Sequence, residues 1–137
     1  MIDIYISEEK KDVIYLKCSG KISLDDVKHV FELVSYHNLH SEMEIVVGLS
    51  EDAELLDKSI LIYAAKYVNA YYMWLKELVV FGMNRHQNHL FSMFLMLGPN
   101  KKINYRVMPN LRKTEELLHI DTSTQFRPVY ESDVIFH

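Results

Sequence analysis

The sequence predicts an α/β domain: a mixed sheet of about five strands, built from an N-terminal hairpin and then a parallel βαβαβα run, with about four helices. Three observations lead there. Apolar and polar residues alternate with period two at the start of the chain, which marks a strand with one buried face. Two later runs, residues 43–49 and 78–81, are almost continuously apolar, as strands buried on both faces of a parallel sheet are. Between and after them lie segments whose apolar residues recur at helical spacing.

Taken in order, Ile2, Ile4 and Ile6 alternate with Asp3, Tyr5 and Ser7 to give the first strand, and the polar run 7–12 gives a turn. Residues 13–18 are β-branched and aromatic, closed by Gly20, so the first twenty residues read as a hairpin. Ser23 with Asp26 three residues on forms a capping box. The helix it opens carries Val27, Val30, Phe31 and Val34 on one stripe and runs to about Asn38. After strand 43–49, Ile60, Ala64, Tyr67, Tyr71 and Leu75 predict a helix over 57–75, followed by strand 78–81. Asn84 and Gln87 cap the third helix, which stops at Gly98 and Pro99. Strand 103–107 then leads through Pro109 and Asn110 into a short helix with Leu111, Leu117 and Leu118 inward. Residues 1–120 are expected to form one domain. The stretch 121–137, with Phe126, Val129, Tyr130, Val134, Ile135 and Phe136, is too apolar for a disordered tail and is expected to pack on the domain or on a partner.

Composition narrows the function classes. The chain has 137 residues, 49% hydrophobic, enough to bury a core without metal or crosslinks. One cysteine, Cys18, precludes an internal disulfide and a multi-cysteine zinc site. With no charged leader before the first strand and no span of about twenty apolar residues, the expectation is a cytoplasmic protein without a transmembrane segment. A formal net charge of −4 argues against nucleic acid as the partner.

In an open α/β sheet, ligands collect at the carboxyl ends of the parallel strands. There the charge is divided into two blocks. Glu42, Glu44, Glu51, Asp52, Glu54 and Asp57 carry six negative charges without a Lys or Arg from 41 to 57, whereas Lys101, Lys102, Arg106, Arg112 and Lys113 are five cations without an acid from 99 to 113. Mutual pairing across the sheet edge accounts for both blocks. The alternative is an anion held by Asn84, Arg85 and His86 at the start of the third helix together with Arg112 and Lys113, which have the wrong sign for a helix N-terminus. The His37/His40 and His86/His89 pairs lack the Glu of a metalloprotease motif and any nearby cysteine, so no metal is expected. Nucleophile-elbow, Walker A and dinucleotide-binding glycine motifs are all missing, only Gly48-Leu49-Ser50 hinting at the first. An enzyme using His86 with Ser50 or Asp57 is therefore not the reading taken, and no cofactor is expected. The third helix is apolar nearly all round, which makes Phe91, Met93, Phe94 and Met96 candidates for an interface; Tyr63, Tyr67, Tyr71, Tyr72 and Trp74 add further aromatic area on the helix before it.

The order of elements, with Val13-Ile14-Tyr15-Leu16 and Gly20-Lys21-Ile22-Ser23 entering the first helix, the strand Glu77-Leu78-Val79-Val80-Phe81-Gly82, and the ending from Tyr105-Arg106-Val107-Met108-Pro109-Asn110 into Leu111-Arg112-Lys113-Thr114-Glu115-Glu116-Leu117-Leu118, resembles the STAS superfamily over about residues 10–120. That is the fold of bacterial anti-sigma-factor antagonists. The chain looks most like the uncharacterised bacterial STAS-like proteins whose fold is also compared with CRAL-TRIO lipid-transfer domains. The resemblance implies a non-enzymatic regulatory or interaction domain acting through a protein partner or itself, as in a homodimer. In regulatory members a phosphorylated Ser or Thr follows an Asp at the start of the helix after the central strand. Here Asp57-Lys58-Ser59 has Lys at that position and Ser59 one residue later. The second functional expectation is a small apolar or anionic ligand at the carboxyl edge of the sheet.

Overall fold

The computed structural model describes residues 1–37, 42–70, 75–98 and 102–129. Its strands are β1 (Ile2–Ser7), β2 (Val13–Cys18), β3 (Lys21–Ile22), β4 (Met43–Leu49), β5 (Glu54–Leu55), β6 (Leu75–Phe81), β7 (Asn104–Met108) and β8 (Phe126–Pro128). Its helices are α1 (Leu24–His37), α2 (Ser59–Ala70), α3 (Arg85–Met96) and α4 (Leu111–Leu118). The predicted α/β class with a mixed, mostly parallel sheet and four helices is what the structure shows.

The main sheet has the order β7-β6-β4-β2-β1-β8. Strands β1 and β2 form the antiparallel hairpin, with Ile4 opposite Leu16, while β2, β4, β6 and β7 run parallel, with Val46 beside both Tyr15 and Val79. Because side chains alternate across the sheet, each central strand feeds two cores. Ile14, Leu16, Cys18 and Ile45 pack against α1, and Leu75 and Leu78 reach toward Ala65 and Val68 of α2 and Phe94 of α3. Val13, Tyr15, Val46, Val79 and Phe81 face the opposite side, where Leu111 and Leu118 of α4 cover them. The central strands thus bury both faces, and Val46 and Val79 have no exposed surface.

Local sequence rules set the helix boundaries. The Ser23 amide donates to Asp26 Oδ2 at 2.9 Å and the Asp26 amide to Ser23 Oγ at 3.1 Å. The bond from the Ser23 amide is the main cause that holds the Asp26 carboxyl below its usual range. Asn84 and Gln87 form the second capping box. Gly98, at φ +75°, follows the last turn of α3 as a glycine stop does. At the carboxyl ends of β4 and β6 two glycines permit close approach. A Cβ on Gly48 would lie 2.5 Å from Phe81 Cζ, and one on Gly82, which also sits at φ +80°, would lie 2.8 Å from the Leu49 carbonyl oxygen.

The structure corrects several expectations. Helix α2 ends at Ala70 rather than 75, and Leu75 opens β6: an apolar residue at helical spacing fits a buried strand equally well. Tyr71, Tyr72 and Trp74 lie outside the described residues, as do Pro99 and Tyr130, Val134, Ile135 and Phe136. Strands β3 and β5 pair in parallel as a separate two-stranded sheet, and β8 joins the edge of β1, Phe126 opposite Ser7. None of these short strands has enough residues to display a period. Among the described residues no helix is long and apolar enough to cross a membrane.

Gly82 gives the sharpest check on this packing. Replacing it with Ala adds a Cβ against backbone, which cannot swing aside, in a left-handed conformation. Gly82→Ala is expected to lower stability by about 1–3 kcal/mol, read as a lower urea midpoint at unchanged m-value.

Candidate functional site

The helix face of the sheet is not filled. Between it and α1, α2 and α3 lies a cavity of about 250 Å³, open to solvent on part of its wall. Its floor comes from Leu16 and Cys18 of β2, Ile45 and Val47 of β4, and Leu78 and Val80 of β6. Its roof comes from Val30 and Val34 of α1, Ala64 and Val68 of α2, and Leu90 and Phe94 of α3.

The cavity arises from how the helices meet. Phe31 stacks on Tyr67 with ring centroids 3.9 Å apart, and the Tyr67 hydroxyl donates to the Phe31 carbonyl at 2.8 Å. This aromatic brace, with Tyr63 tilted against Phe31, joins α1 to α2. A small residue on α2, Ala64, leaves the space below it unfilled. A sealed void of this size would cost roughly 6 kcal/mol at 24 cal/mol per Å³, comparable to the whole stability of a small domain. Partial access to solvent or to an apolar occupant removes much of that cost.

The polar groups on the wall are few and mostly committed. Gln87, 4% exposed, donates through Nε2 to the carbonyls of Ser50 at 2.8 Å and Ala53 at 3.0 Å, and accepts from the Asn84 amide at 2.9 Å. Burial pushes the Cys18 thiol up to about 12, so it lines the cavity as a neutral, apolar group. The remaining polar side chain is Glu54, at the end of the cavity formed by the small β3/β5 sheet. An apolar wall with its side-chain donors satisfied internally binds mainly by shape and desolvation.

The residues expected to hold an anion stand at the start of α3 and on α4, which pack on opposite faces of the sheet. Asn84 is occupied as a cap, its Oδ1 accepting from the Gln87 amide at 2.9 Å and its Nδ2 donating to the Glu51 carbonyl at 3.2 Å. Arg85 and His86 are exposed on the first turn of α3. Arg112 and Lys113 stand on α4, which packs on the other face of the sheet, and both reach Glu116 of their own helix, at 3.5 and 3.7 Å. That local pair answers their unfavourable position at the helix start. Arg106 of the basic block pairs near the amino ends of the strands with Glu77, which lies outside the acidic block, Nε standing 2.5 Å from Oε1. There Glu44, beside Glu77 in register, has its carboxyl raised above the usual range, first by burial and then by the Glu77 charge.

The Ser50 hydroxyl is bonded to Asp52. His86 and His89 are exposed, and His40 lies outside the described residues. Among the described residues no group of three or more His, Cys, Asp or Glu is arranged to hold a metal ion. Of the α3 residues expected at an interface, Phe91 and Phe94 line the cavity, Met93 is half-buried, and Met96 is 86% exposed. Helical geometry separates them: positions 87, 90, 91 and 94 share the inward stripe, and 96 falls opposite.

The cavity was not legible in the sequence. The apolar stripes of α1, α2 and α3 were, but they do not reveal that the helices stand apart. The chain matches no protein-family model and no curated protein sequence.

Proposed function

We propose that this chain is a non-enzymatic binding domain that holds a small apolar molecule between its sheet and helices α1 to α3. The observation that carries this reading is the cavity of about 250 Å³ with its almost wholly apolar wall. An engineered void of about 150 Å³ lined by Leu, Ile and Phe stays dry and takes up benzene, so a larger one of the same character is a competent site. The site is the interior of the helix layer rather than the polar carboxyl edge. A STAS-like relationship belongs to the same proposal, supported by the hairpin followed by parallel β4, β6 and β7, and a cytoplasmic setting suits the lone reduced thiol.

A second reading, self-association, draws support from the end of α3, where Leu95, Met96 and Leu97 are exposed at 42, 86 and 46%, and from Val107, 55% exposed on β7, an edge strand of the sheet among the described residues. Sedimentation velocity separates it: Met96→Glu should shift a dimer toward monomer, and a wild-type chain that stays monomeric at high micromolar concentration contradicts it.

For the ligand-binding reading, the neutral dye N-phenyl-1-naphthylamine is expected to brighten on binding, at one dye per chain. Ala64→Phe, which fills the cavity from α2, should abolish the signal while the far-ultraviolet circular dichroism stays native. A dye signal unchanged by that substitution contradicts the proposal.

A further inference from the structure

Resting on the cavity reading, the hydrogen-bonding capacity of the wall narrows the ligand class. Benzene occupies an engineered void of about 150 Å³, so a cavity of about 250 Å³ has room for a fused bicyclic molecule. Among the described residues, four polar side chains line it: Cys18, Glu54, Tyr67 and Gln87. Glu54 is exposed and lies in register with Lys21 of β3, so it belongs to the solvent side of the wall. The selectivity of the interior rests on the other three.

Their strong donors are spent. Gln87 Nε2 has two protons, given to the carbonyls of Ser50 at 2.8 Å and Ala53 at 3.0 Å. The Tyr67 hydroxyl gives its proton to the Phe31 carbonyl at 2.8 Å. Cys18 keeps its proton, and a thiol is a weak donor. A ligand atom that can only accept therefore meets no strong side-chain donor inside, and burying it unpaired is costly.

Acceptor capacity survives. An amide oxygen has two lone pairs, and Gln87 Oε1 uses one for the Asn84 amide at 2.9 Å. Gln87 is 4% exposed and lies on the stripe of α3 that carries Leu90, Phe91 and Phe94 along the cavity, so bulk water has little access to the second. The capping box and the two carbonyls of the loop after β4 hold the amide in place before any ligand arrives.

We infer that the site selects compact apolar molecules, of about the size of a fused bicycle of rings, that carry one hydrogen-bond donor, an N–H or O–H accepted by Gln87 Oε1, over molecules of the same shape whose polar atom can only accept. Desolvation of the rings supplies the affinity, and Gln87 supplies the selectivity.

The test is displacement of bound N-phenyl-1-naphthylamine from the full chain by indole, benzofuran and 1-methylindole. Indole and benzofuran share one outline, but the first has an N–H where the second has an oxygen that only accepts, and 1-methylindole loses the donor. Benzofuran is the less soluble in water, so desolvation by itself favours it. Indole is nevertheless expected to displace the dye at least about threefold more effectively than either, as one net hydrogen bond allows. The Gln87 Cδ resonance should shift with indole and stay in place with benzofuran. Gln87→Met, which keeps the length of the side chain and removes the acceptor, should bring indole down to the level of benzofuran; if that variant does not fold, the Cδ shift decides. Benzofuran or 1-methylindole matching indole, a Cδ resonance that indole leaves unmoved, or a folded Gln87→Met chain that still prefers indole overturns the inference and leaves the cavity reading standing. Failure of all three molecules to displace the dye overturns the cavity reading, and this inference with it.

Discussion

The parallel pairing of β2, β4, β6 and β7 is the constraint on which the rest of the structure depends. Each parallel step needs a crossover, and crossovers of one hand that add strands in one direction deliver their helices to the same face. Three helices, α1, α2 and α3, must therefore share one side of the sheet, and the chain returns through α4 on the other side to lay β8 beside β1. Crowding on the first face decides how the helices meet. The Phe31 and Tyr67 rings stack and the hydroxyl of Tyr67 closes a bond to α1, which ties α2 to α1.

The cavity follows from that arrangement together with residue size. Ala64 of α2 is too small to reach the floor, and Cys18 on the floor is short. Gln87 holds the far end in shape by tying the first turn of α3 to the loop after β4 through two backbone carbonyls. A buried amide with both its donors bonded is costly to displace, because each abandoned carbonyl would stand unpaired in an apolar setting. The end of the cavity beside β5 is thus rigid at one wall and charged at its rim.

How far the sequence reveals this depends on the length of the signal each feature has. The capping pairs Ser23 with Asp26 and Asn84 with Gln87 are local, fix their helix starts, and are found where the spacing predicts them. Strand β4 shows itself by an apolar run broken only by Glu44. Leu75 misleads because it continues the helical spacing of Ile60, Ala64 and Tyr67 although it belongs to β6. The paired strands β3 and β5 have two residues each, too few for any period. The inward turn of Phe91 and Phe94 could have been found, since Gln87, Leu90, Phe91 and Phe94 form one stripe once the Asn84 cap sets the helix phase. The hollow itself could not: an apolar helix face reads the same whether or not atoms meet it.

Methyl spectra of the protein under xenon pressure test most directly whether that face is hollow. Xenon enters dry apolar voids, so shifts are expected to concentrate on the methyl groups of Val30, Ile45, Val68 and Leu78, with the opposite core around Val46 and Val79 unmoved. Shifts spread evenly over both cores, or no shifts at all, would contradict the account.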